Sequence, residues 1–514
     1  MQYSLRPLLS LFLTVLLLLS ACDQGVRDGG NAYQIEVAAD KMLAEAVTEE
    51  SVLPPEEQPG SPNDSDIKTI KENPFVETAQ EATSTFSIDV DNASYSYIRA
   101  NIEAGTLPMP EAVRIEEMIN YFSYEYPQPQ GAVPFSIYTE VADCPWNPAH
   151  RLVHIGLQGK KLDTDNLKAS NLVFLIDASG SMQGDERLGL VKKSMEILLE
   201  QLSAQDRVAI VVYAGAAGLV LPSTPANEKA RIMAALNKLE AGGSTAGGEG
   251  ILLAYKIAEE NLIAGGNNRV VLCSDGDFNV GVSSTQALVA LMEEKRKKDI
   301  YLTIGGYGMG NYQDSRLEAI AQAGNGNYFY LDSFEEAKKV FGKEMRANLF
   351  TIAKDVKIQV AFDPAYVAAY RLIGYENRVM ANEDFENDLK DAGELGAGHS
   401  VTALYEIVLL PGKSQGKVLD LRLRYKLPRA EQSLLLEQSL IDQGGKLAQA
   451  SENFRFSAAV AMAGLLLKQS QYKAEASFEQ AISLAKNARS QDPDAYRWDF
   501  VKLLEKAKQL SRVQ

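Results

Sequence analysis

The sequence predicts an α/β protein in which a doubly wound, mostly parallel sheet is flanked by a β-rich domain and a C-terminal helical segment. Three observations support this fold class. A continuous apolar run ends in an acidic, hydroxyl-rich loop within residues 171–184. Strand-like and helix-like segments alternate regularly between residues 170 and 350, which is typical of βαβ units. After Thr351 the pattern changes to the partial alternation that indicates antiparallel strands.

The first strand of the α/β region is the clearest single element. Residues 172–176 (LVFLI) are all apolar, which suits a parallel strand that is covered on both faces. A D-x-S-x-S pattern follows at once, with Asp177, Ser179 and Ser181. Ligands of open α/β sheets bind outside the carboxyl ends of the strands. One carboxylate and two hydroxyls at that edge are hard oxygen ligands, suited to Mg²⁺ or another hard cation.

The other predicted elements follow in chain order. In the α/β region, strands are expected at 207–213, 218–221 (an edge strand), 269–273, 301–305 and 327–331, and helices at 186–203, 228–239, 250–262, 285–297, 315–323 and 334–349. Before it, strands are expected at 85–90, 135–141 and 152–157 and helices at 93–104 and 110–122. After it, strands are expected at 355–362, 366–373, 401–410 and 417–425 and helices at 454–469, 472–490 and 495–510.

The N-terminus has the features of a lipoprotein signal peptide over residues 1–21. Arg6 precedes an apolar run at 8–19, which is short for a transmembrane helix, and the sequence LSAC ends at Cys22. LSAC resembles the bacterial lipobox, which implies cleavage before Cys22 and lipidation of its thiol. Asp23 then implies retention in the inner membrane, on the periplasmic face. The alternative is an ordinary signal peptide with a chance cysteine.

The predicted signal peptide is followed by five regions. Residues 23–74 hold twelve acidic and four basic residues and two proline-rich stretches, a composition that predicts a disordered tether. The regions are an acidic tether (22–74), an N-terminal α+β region (75–169), the α/β domain (170–350), a β-rich C-terminal domain (351–430) and C-terminal helices (431–514). The tether is expected to give the folded regions reach from a membrane.

Two further segments extend the D-x-S-x-S pattern. A glycine-rich loop spans residues 242–248, and an apolar strand ends at Asp275. Together, the three segments resemble the von Willebrand factor type A (VWA) domain and its metal-ion-dependent adhesion site, over residues 170–345. The resemblance implies a Rossmann-like fold. It also implies metal ligation through the hydroxyls of Ser179, Ser181 and Thr245.

The same resemblance implies that Asp177 and Asp275 act partly through water. Ser244 is an alternative to Thr245, and Asp277 and Asn279 are expected at the rim, as partner contacts or as turn residues. Mg²⁺ takes about six oxygen ligands, so such a site has one position open for an Asp or Glu carboxylate of a partner. The implied cofactor is Mg²⁺, or Mn²⁺ or Ca²⁺.

The flanking regions resemble a group of bacterial VWA lipoproteins that have a conserved N-terminal region and a C-terminal domain of unknown function. The resemblance is carried by residues 73–75, 86–95 and 398–406. We expect the strands on either side of the α/β domain to form one β-sandwich, with the metal edge pointing away from it.

The function that these features predict is a membrane-tethered, metal-dependent protein-binding module that acts on an unknown envelope protein. The alternatives are a structural or assembly lipoprotein whose metal site is not essential, and an enzyme such as a hydrolase. The chain lacks H-E-x-x-H, G-x-S-x-G and P-loop motifs, so neither catalysis nor a small-molecule substrate is expected. The net charge of −17 argues against nonspecific nucleic-acid binding.

Overall fold

The computed structural model describes residues 71–88, 91–162, 168–243, 247–276, 285–308, 314–345, 349–489 and 492–512. Within these ranges the strands form one sheet of five strands and two sheets of six. The predicted signal peptide, Cys22, Asp23 and nearly all of the predicted tether lie outside the described residues. Across those ranges, none of the helices combines the length and apolar character that a bilayer crossing requires.

The strands and helices are numbered here in chain order. The strands are β1 (Val76–Glu77), β2 (Thr83–Ser87), β3 (Phe135–Asp143), β4 (Arg151–Gly159), β5 (Ser170–Asp177), β6 (Arg207–Tyr213), β7 (Ala217–Pro225), β8 (Asn267–Ser274), β9 (Ile300–Tyr307), β10 (Tyr328–Leu331), β11 (Thr351–Phe362), β12 (Val367–Ile373), β13 (Val379–Met380), β14 (Gly393–Gly396), β15 (Ser400–Leu409), β16 (Gly416–Lys426) and β17 (Leu434–Asp442). The helices are α1 (Ala93–Glu103), α2 (Ile115–Asn120), α3 (Leu188–Gln201), α4 (Lys229–Asn237), α5 (Gly247–Glu260), α6 (Thr285–Arg296), α7 (Asp314–Ala323), α8 (Phe334–Lys338), α9 (Glu452–Leu467), α10 (Phe478–Lys486) and α11 (Tyr496–Leu510).

The predicted doubly wound sheet is confirmed, with the strand order β10-β9-β8-β5-β6-β7. All neighbouring pairs are parallel except β6 and β7, so the predicted edge strand is present as β7 and runs antiparallel. Every residue of β5 is buried, as expected for a central strand. From β5 the chain winds to one side of the sheet, and from β8 it winds to the other. The carboxyl ends of β5 and β8 therefore meet at the switch point where α/β sheets bind ligands.

Strands from both sides of the α/β domain combine into one β-sandwich, as expected. Its sheets have the orders β1-β12-β15-β4-β3 and β13-β2-β11-β16-β17, and β14 joins the second sheet by pairing with β11. Strand β4, which precedes the α/β domain, pairs with β15, which follows it, and β2 pairs in the same way with β11. Side chains of both sheets share one apolar core, which includes Phe86, Ile155 and Val360.

A second apolar core lies between the five-stranded sheet and helices from both ends of the described chain. Leu152 and Leu404 face this core, whereas the adjacent residues Val153 and Tyr405 face the sandwich core. Such alternation places successive side chains on opposite faces of the sheet. The sheet is therefore covered by its partner sheet on one face and by helices, including α9 and α11, on the other.

The predicted helix over 110–122 is interrupted in the structure. A short 3₁₀ turn, Pro110–Ala112, is followed by an extended residue, Val113, before α2 begins. The hydroxyl of Ser94 donates to the carbonyl of Ala112 at 2.7 Å, and it accepts from the backbone N–H of Arg114 at 3.0 Å. These tertiary hydrogen bonds take the place of helical ones, and apolar periodicity in the sequence does not report them.

The predicted helical region 431–514 also needs correction, because its first part is strand β17. Pairing with the long strand β16 supplies the backbone hydrogen bonds of this segment. The helices begin only at Glu452, and α10 begins at Phe478, where Ser477 accepts from the N–H of Gln480 as an N-cap. The predicted helix over 334–349 also needs correction. It is the short helix α8, followed by a π-helical turn, Lys339–Lys343.

The α/β domain contacts the sandwich mainly away from the carboxyl end of β5. Asn325 Nδ2 donates to Glu394 at 2.7 Å, and Arg296 pairs with Asp391 at 2.8 Å. Asn325 and Arg296 precede β10 and β9, so these contacts lie at the amino ends of the strands. On the β10 side of the sheet, Arg99 pairs with Asp332 at 2.5 Å. The carboxyl end of β5 thus lies opposite the Asn325 and Arg296 contacts. Asp332, by contrast, follows the carboxyl end of β10, so its contact with Arg99 lies at the same edge as the metal-site residues, and the predicted orientation of that edge holds only with respect to the sandwich contacts.

Candidate metal centre

The D-x-S-x-S loop begins where β5 ends and turns sharply. Asp177 is buried, and one of its carboxylate oxygens accepts the backbone N–H of Ser179 at 2.8 Å. The hydroxyls of Ser179 and Ser181 lie 2.9 Å apart. Ser179 is buried and Ser181 is exposed, so this pair reaches from the strand end to the surface. One carboxylate and two neighbouring hydroxyls are thereby brought together.

The start of the glycine-rich loop packs directly on the D-x-S-x-S loop. The N–H of Gly180 donates to the carbonyl of Gly243 at 3.2 Å, and the N–H of Gly242 donates to that of Ala178 at 2.8 Å. Gly243 has a φ of +91°, a conformation that side chains other than glycine rarely adopt. Thr245 and its alternative Ser244 lie outside the described residues, so their predicted role as ligands stays a prediction.

The second strand end brings Asp275 to the same edge. The hydroxyl of Ser274 lies 3.5 Å from the Asp177 carboxylate, which joins the ends of β8 and β5. Asp275 is 3.7 Å from a guanidinium nitrogen of Arg187, and the same nitrogen donates to the carbonyl of Ser181. Four of the five predicted metal-site residues therefore converge. Asp277 and Asn279, predicted at the rim, lie outside the described residues.

Asp177 is a buried carboxylate whose charge no basic side chain among the described residues balances. Burial raises its pKa, against hydrogen bonds from Ser179 and Tyr213, and the charge of Asp275 raises it further. Among the described residues no lysine or arginine pairs with Asp177. A buried carboxylate is normally paired with a cation or bound to a metal. The donor set here therefore fits a hard divalent cation.

Three further residues lie at this edge that the sequence did not indicate as site residues, namely Tyr213, Ser274 and Arg187. Tyr213 ends β6, and its buried hydroxyl lies beside Asp177 and Ser274, while burial raises its pKa well above the usual range. Tyr213 and Ser274 each end a strand adjacent to β5, and that position was the available signal. Arg187 had no such signal, because it lies in a loop before α3.

Comparisons with known proteins agree with this geometry. Residues 171–343 match the model of the von Willebrand factor type A domain, and residues 61–154 match a model described as von Willebrand factor. Residues 347–510 match the C-terminal domain of the uncharacterized protein YfbK. The YfbK protein of Escherichia coli (strain K12) is 40% identical over 472 residues, which cover 87% of this chain and 82% of that protein. The chain belongs to the YfbK family.

More distant similarities extend across the YfbK-family chain. The uncharacterized protein sll0103 of Synechocystis is 26% identical over 309 residues, covering 57% of this chain and 70% of that one. A solved von Willebrand factor type A structure from Catenulispora acidiphila is 17% identical, covers 73% of this chain and 91% of that chain, and superposes with a TM-score of 0.42. The predicted membership in a group of bacterial VWA proteins is confirmed by the family matches. The VWA domain indicates an interaction module.

Proposed function

We propose that this YfbK-family chain is a membrane-tethered module that captures another protein through a divalent cation in its VWA domain. The observation that supports this most directly is the convergence of Asp177, Ser179, Ser181 and Asp275 at the switch point of the sheet. Within this set, Asp177 contributes most to the argument. Its buried carboxylate has no cationic partner among the described residues, and a bound cation would compensate its charge.

Ser179, Ser181 and Thr245 would hold the cation through hydroxyl oxygens, and Asp177 and Asp275 would act partly through bound water. Mg²⁺ is the expected ion, with Mn²⁺ or Ca²⁺ as substitutes, since all three favour oxygen ligands. With few anionic ligands bound directly, the cation would remain electrophilic. It would then attract an Asp or Glu carboxylate of the partner, and no catalytic step is proposed.

The proposed location is the cell envelope. Lipidation at Cys22 would anchor the chain to a membrane, and Asp23 favours the periplasmic face of the inner membrane. The acidic region 22–74 would separate the anchor from the VWA domain, so the proposed partner is another envelope protein. Neither a nucleic acid nor a small-molecule substrate is part of the proposal.

The proposal is tested with Asp177→Ala. Calorimetry should show Mg²⁺ binding by the purified wild-type chain and none by the variant, because the variant loses the buried carboxylate that orients the site. The matched control is Asp420→Ala, which removes a carboxylate that is about half exposed (47%) on β16 of the sandwich. Equal Mg²⁺ binding by wild type and Asp177→Ala would disprove the site assignment.

The partner is sought by crosslinking and pull-down from cell envelopes, in Mg²⁺ and in EDTA. We expect at least one envelope protein to be recovered by wild type in Mg²⁺ only, and not by Asp177→Ala. A partner set that neither EDTA nor the substitution changes would favour the alternative of a structural envelope lipoprotein.

A further inference from the structure

Arg187 lies beside the candidate metal centre, but it is not one of the predicted metal ligands. One guanidinium nitrogen, Nη1, donates to the carbonyl of Ser181 and lies 3.7 Å from Asp275. The side chain therefore spans the D-x-S-x-S loop and the end of β8. Gly308, at the end of β9, makes room for it, because a Cβ there would lie 2.7 Å from Arg187 Nε.

The Arg187 side chain is partly exposed. Its Nη2 and Nε groups make no hydrogen bond among the described residues, and 35% of the side chain is exposed. A guanidinium offers five N–H donors in a planar fork that matches the two oxygens of a carboxylate. Arg187 is thus oriented by Ser181 and Asp275, and Nη2 is the guanidinium nitrogen that has neither a hydrogen bond nor a close backbone contact among the described residues.

The stability of helix α3 does not explain why residue 187 is an arginine. Arg187 is the N-cap residue of α3 and makes no side-chain cap hydrogen bond. Asp, Asn, Ser and Thr are preferred at that position because their oxygen atoms accept backbone N–H groups. A positive charge there also opposes the helix dipole, whose amino end is positive. The residue costs the helix some stability, which points to a role at the neighbouring site.

The charge balance indicates what that role is. Asp177 and Asp275 contribute −2 and Arg187 contributes +1, so these three side chains sum to −1. A divalent cation would bring the sum to +1, whereas without Arg187 it would be 0. Arg187 therefore makes the loaded site one unit more positive than it would be without this residue, which favours an anionic ligand over a neutral one at short range.

We propose that Arg187 is a specificity-determining residue that binds one oxygen of the partner carboxylate while the cation binds the other. The ligand class is the side-chain carboxylate of an Asp or Glu on a protein, held between a metal and a guanidinium. This inference rests on the proposed function and adds to it the residue that selects an anionic ligand.

The test compares wild type with Arg187→Gln and Arg187→Lys, using Mn²⁺ as the metal and acetate as the probe. Water bound to Mn²⁺ enhances the relaxation of bulk water protons, so displacement of that water by acetate lowers the relaxation rate. We expect Arg187→Gln to need about tenfold more acetate, the effect of losing one hydrogen bond to a charged group. Arg187→Lys keeps the charge without the fork, and should be intermediate.

Arg231→Gln is the matched control, because Arg231 is 56% exposed on α4 and pairs only with Glu228 among the described residues. It should bind acetate as wild type does. In Arg187→Gln, Mn²⁺ affinity should be unchanged or higher, since a nearby positive charge has been removed. A capped peptide with one internal aspartate should show the same dependence on Arg187 as acetate.

The outcomes separate this inference from the proposed function. If wild type binds Mn²⁺ and Arg187→Gln responds to acetate as wild type does, Arg187 has no part in ligand binding and the metal-dependent function stands. Weaker Mn²⁺ binding by Arg187→Gln would also overturn the inference, because Arg187 would then serve the metal site itself. A response to acetate but not to the peptide would overturn the protein-carboxylate class. No Mn²⁺ binding by wild type would overturn the proposed function.

Discussion

The carboxylate of Asp177 is buried and shielded from solvent. One of its oxygens accepts the backbone N–H of Ser179, the hydroxyls of Ser274 and Tyr213 lie nearby, and burial still raises its pKa. Hydrogen bonds alone therefore do not compensate the burial of the ionised group. In the metal-free protein this residue is a source of instability, and a bound cation would remove that cost.

Asp177→Asn should stabilise the metal-free protein at neutral pH while abolishing metal binding. A raised folded-state pKa means that the contribution of Asp177 to stability is fully present below the pKa of the unfolded chain and is lost as the pH rises through the folded value. An amide avoids that loss, and the hydroxyls of Ser274 and Tyr213 can rotate to accept from it. We expect the melting temperature in EDTA at pH 7.5 to rise by about 2 °C.

Mg²⁺ should reverse the order of stability. Wild type should gain melting temperature with added Mg²⁺, because a ligand that binds only the folded state stabilises it, and Asp177→Asn should gain nothing. Ser203→Ala, at a hydroxyl bonded to Asp206 in the loop before β6, is a control that should keep the full Mg²⁺ response. A metal-free Asp177→Asn variant that melts below wild type would contradict this account.

At the scale of elements, the sequence predicted where strands end better than it predicted which strands lie side by side in the sheet. The apolar run of β5 and its D-x-S-x-S loop are contiguous, so one stretch of sequence indicated both the strand and its ligands. That Tyr213 lies beside Asp177 depends on the order of β5 and β6 in the sheet, and that order is a tertiary property. Arg187 reaches the site across a loop, and no periodicity marks such a contact.

The same distinction separates the sandwich elements that were predicted from those that were not. Strands β11, β12, β15 and β16 were expected from their patterns, and so was their union with strands of the N-terminal region. Strand β17 was not expected, because apolar and polar residues alternate poorly along it. Many of its side chains are exposed in the structure, for example those of Leu434 and Ile441. Its conformation is fixed by pairing with β16 rather than by its own sequence.

Within the sandwich, Glu406 of β15 connects two other segments, the loop between β3 and β4 and strand β12. Its carboxylate accepts from Trp146 at 3.1 Å and from Arg371 of β12 at 2.9 Å, and it lies 2.6 Å from His150 Nδ1. Burial alone would raise the pKa of Glu406, but the hydrogen bond to His150 and the charge of Arg371 lower it. The ionised carboxylate is therefore the form that the sandwich holds.

Glu406→Ala should lower the free energy of unfolding by about 3 kcal/mol, because it leaves the buried Arg371 charge without its carboxylate. Urea denaturation followed by tryptophan fluorescence measures this change. Glu437→Ala, at an exposed carboxylate of β17 (63%) that pairs with Arg422, should cost less than about 1 kcal/mol. Mg²⁺ binding by the folded variants should equal that of wild type, and a Glu406→Ala loss no larger than that of Glu437→Ala would refute the assignment.

At the scale of the whole molecule, the VWA domain and the sandwich meet through polar contacts. Glu394 of β14 is central to one of them. Its carboxyl group accepts from Asn325, in the loop before β10, at 2.7 Å and from Thr351 at 2.9 Å. Burial raises the pKa of Glu394 to about 7, with the charges of Asp391 and Asp355 adding to the effect and Arg269 opposing it. The protonation state of this junction therefore changes near neutral pH.

The junction should accordingly lose stability as the pH rises from 6 to 8. The folded pKa of Glu394 is raised, so its contribution is fully present below the ordinary carboxyl value of 4.5 and is lost as the pH passes through about 7. Glu394→Gln keeps an oxygen that can accept from Asn325 or Thr351 and cannot ionise, so its melting temperature should fall less than that of wild type between pH 6 and pH 8. Glu383→Gln, at an exposed carboxylate of the neighbouring 3₁₀ turn Asn382–Phe385, should follow wild type.

Scanning calorimetry in EDTA at constant ionic strength measures all three proteins, and the buried Asp177 then contributes equally to each. The comparison isolates the ionisation of Glu394, because a hydrogen bond lost in Glu394→Gln lowers the melting temperature at every pH, whereas the ionisation alters how the melting temperature changes with pH. Identical pH dependence in wild type and Glu394→Gln would mean that this carboxyl group does not titrate in the range. The hydrogen bond between Asn325 and Glu394 would then be independent of pH over this range.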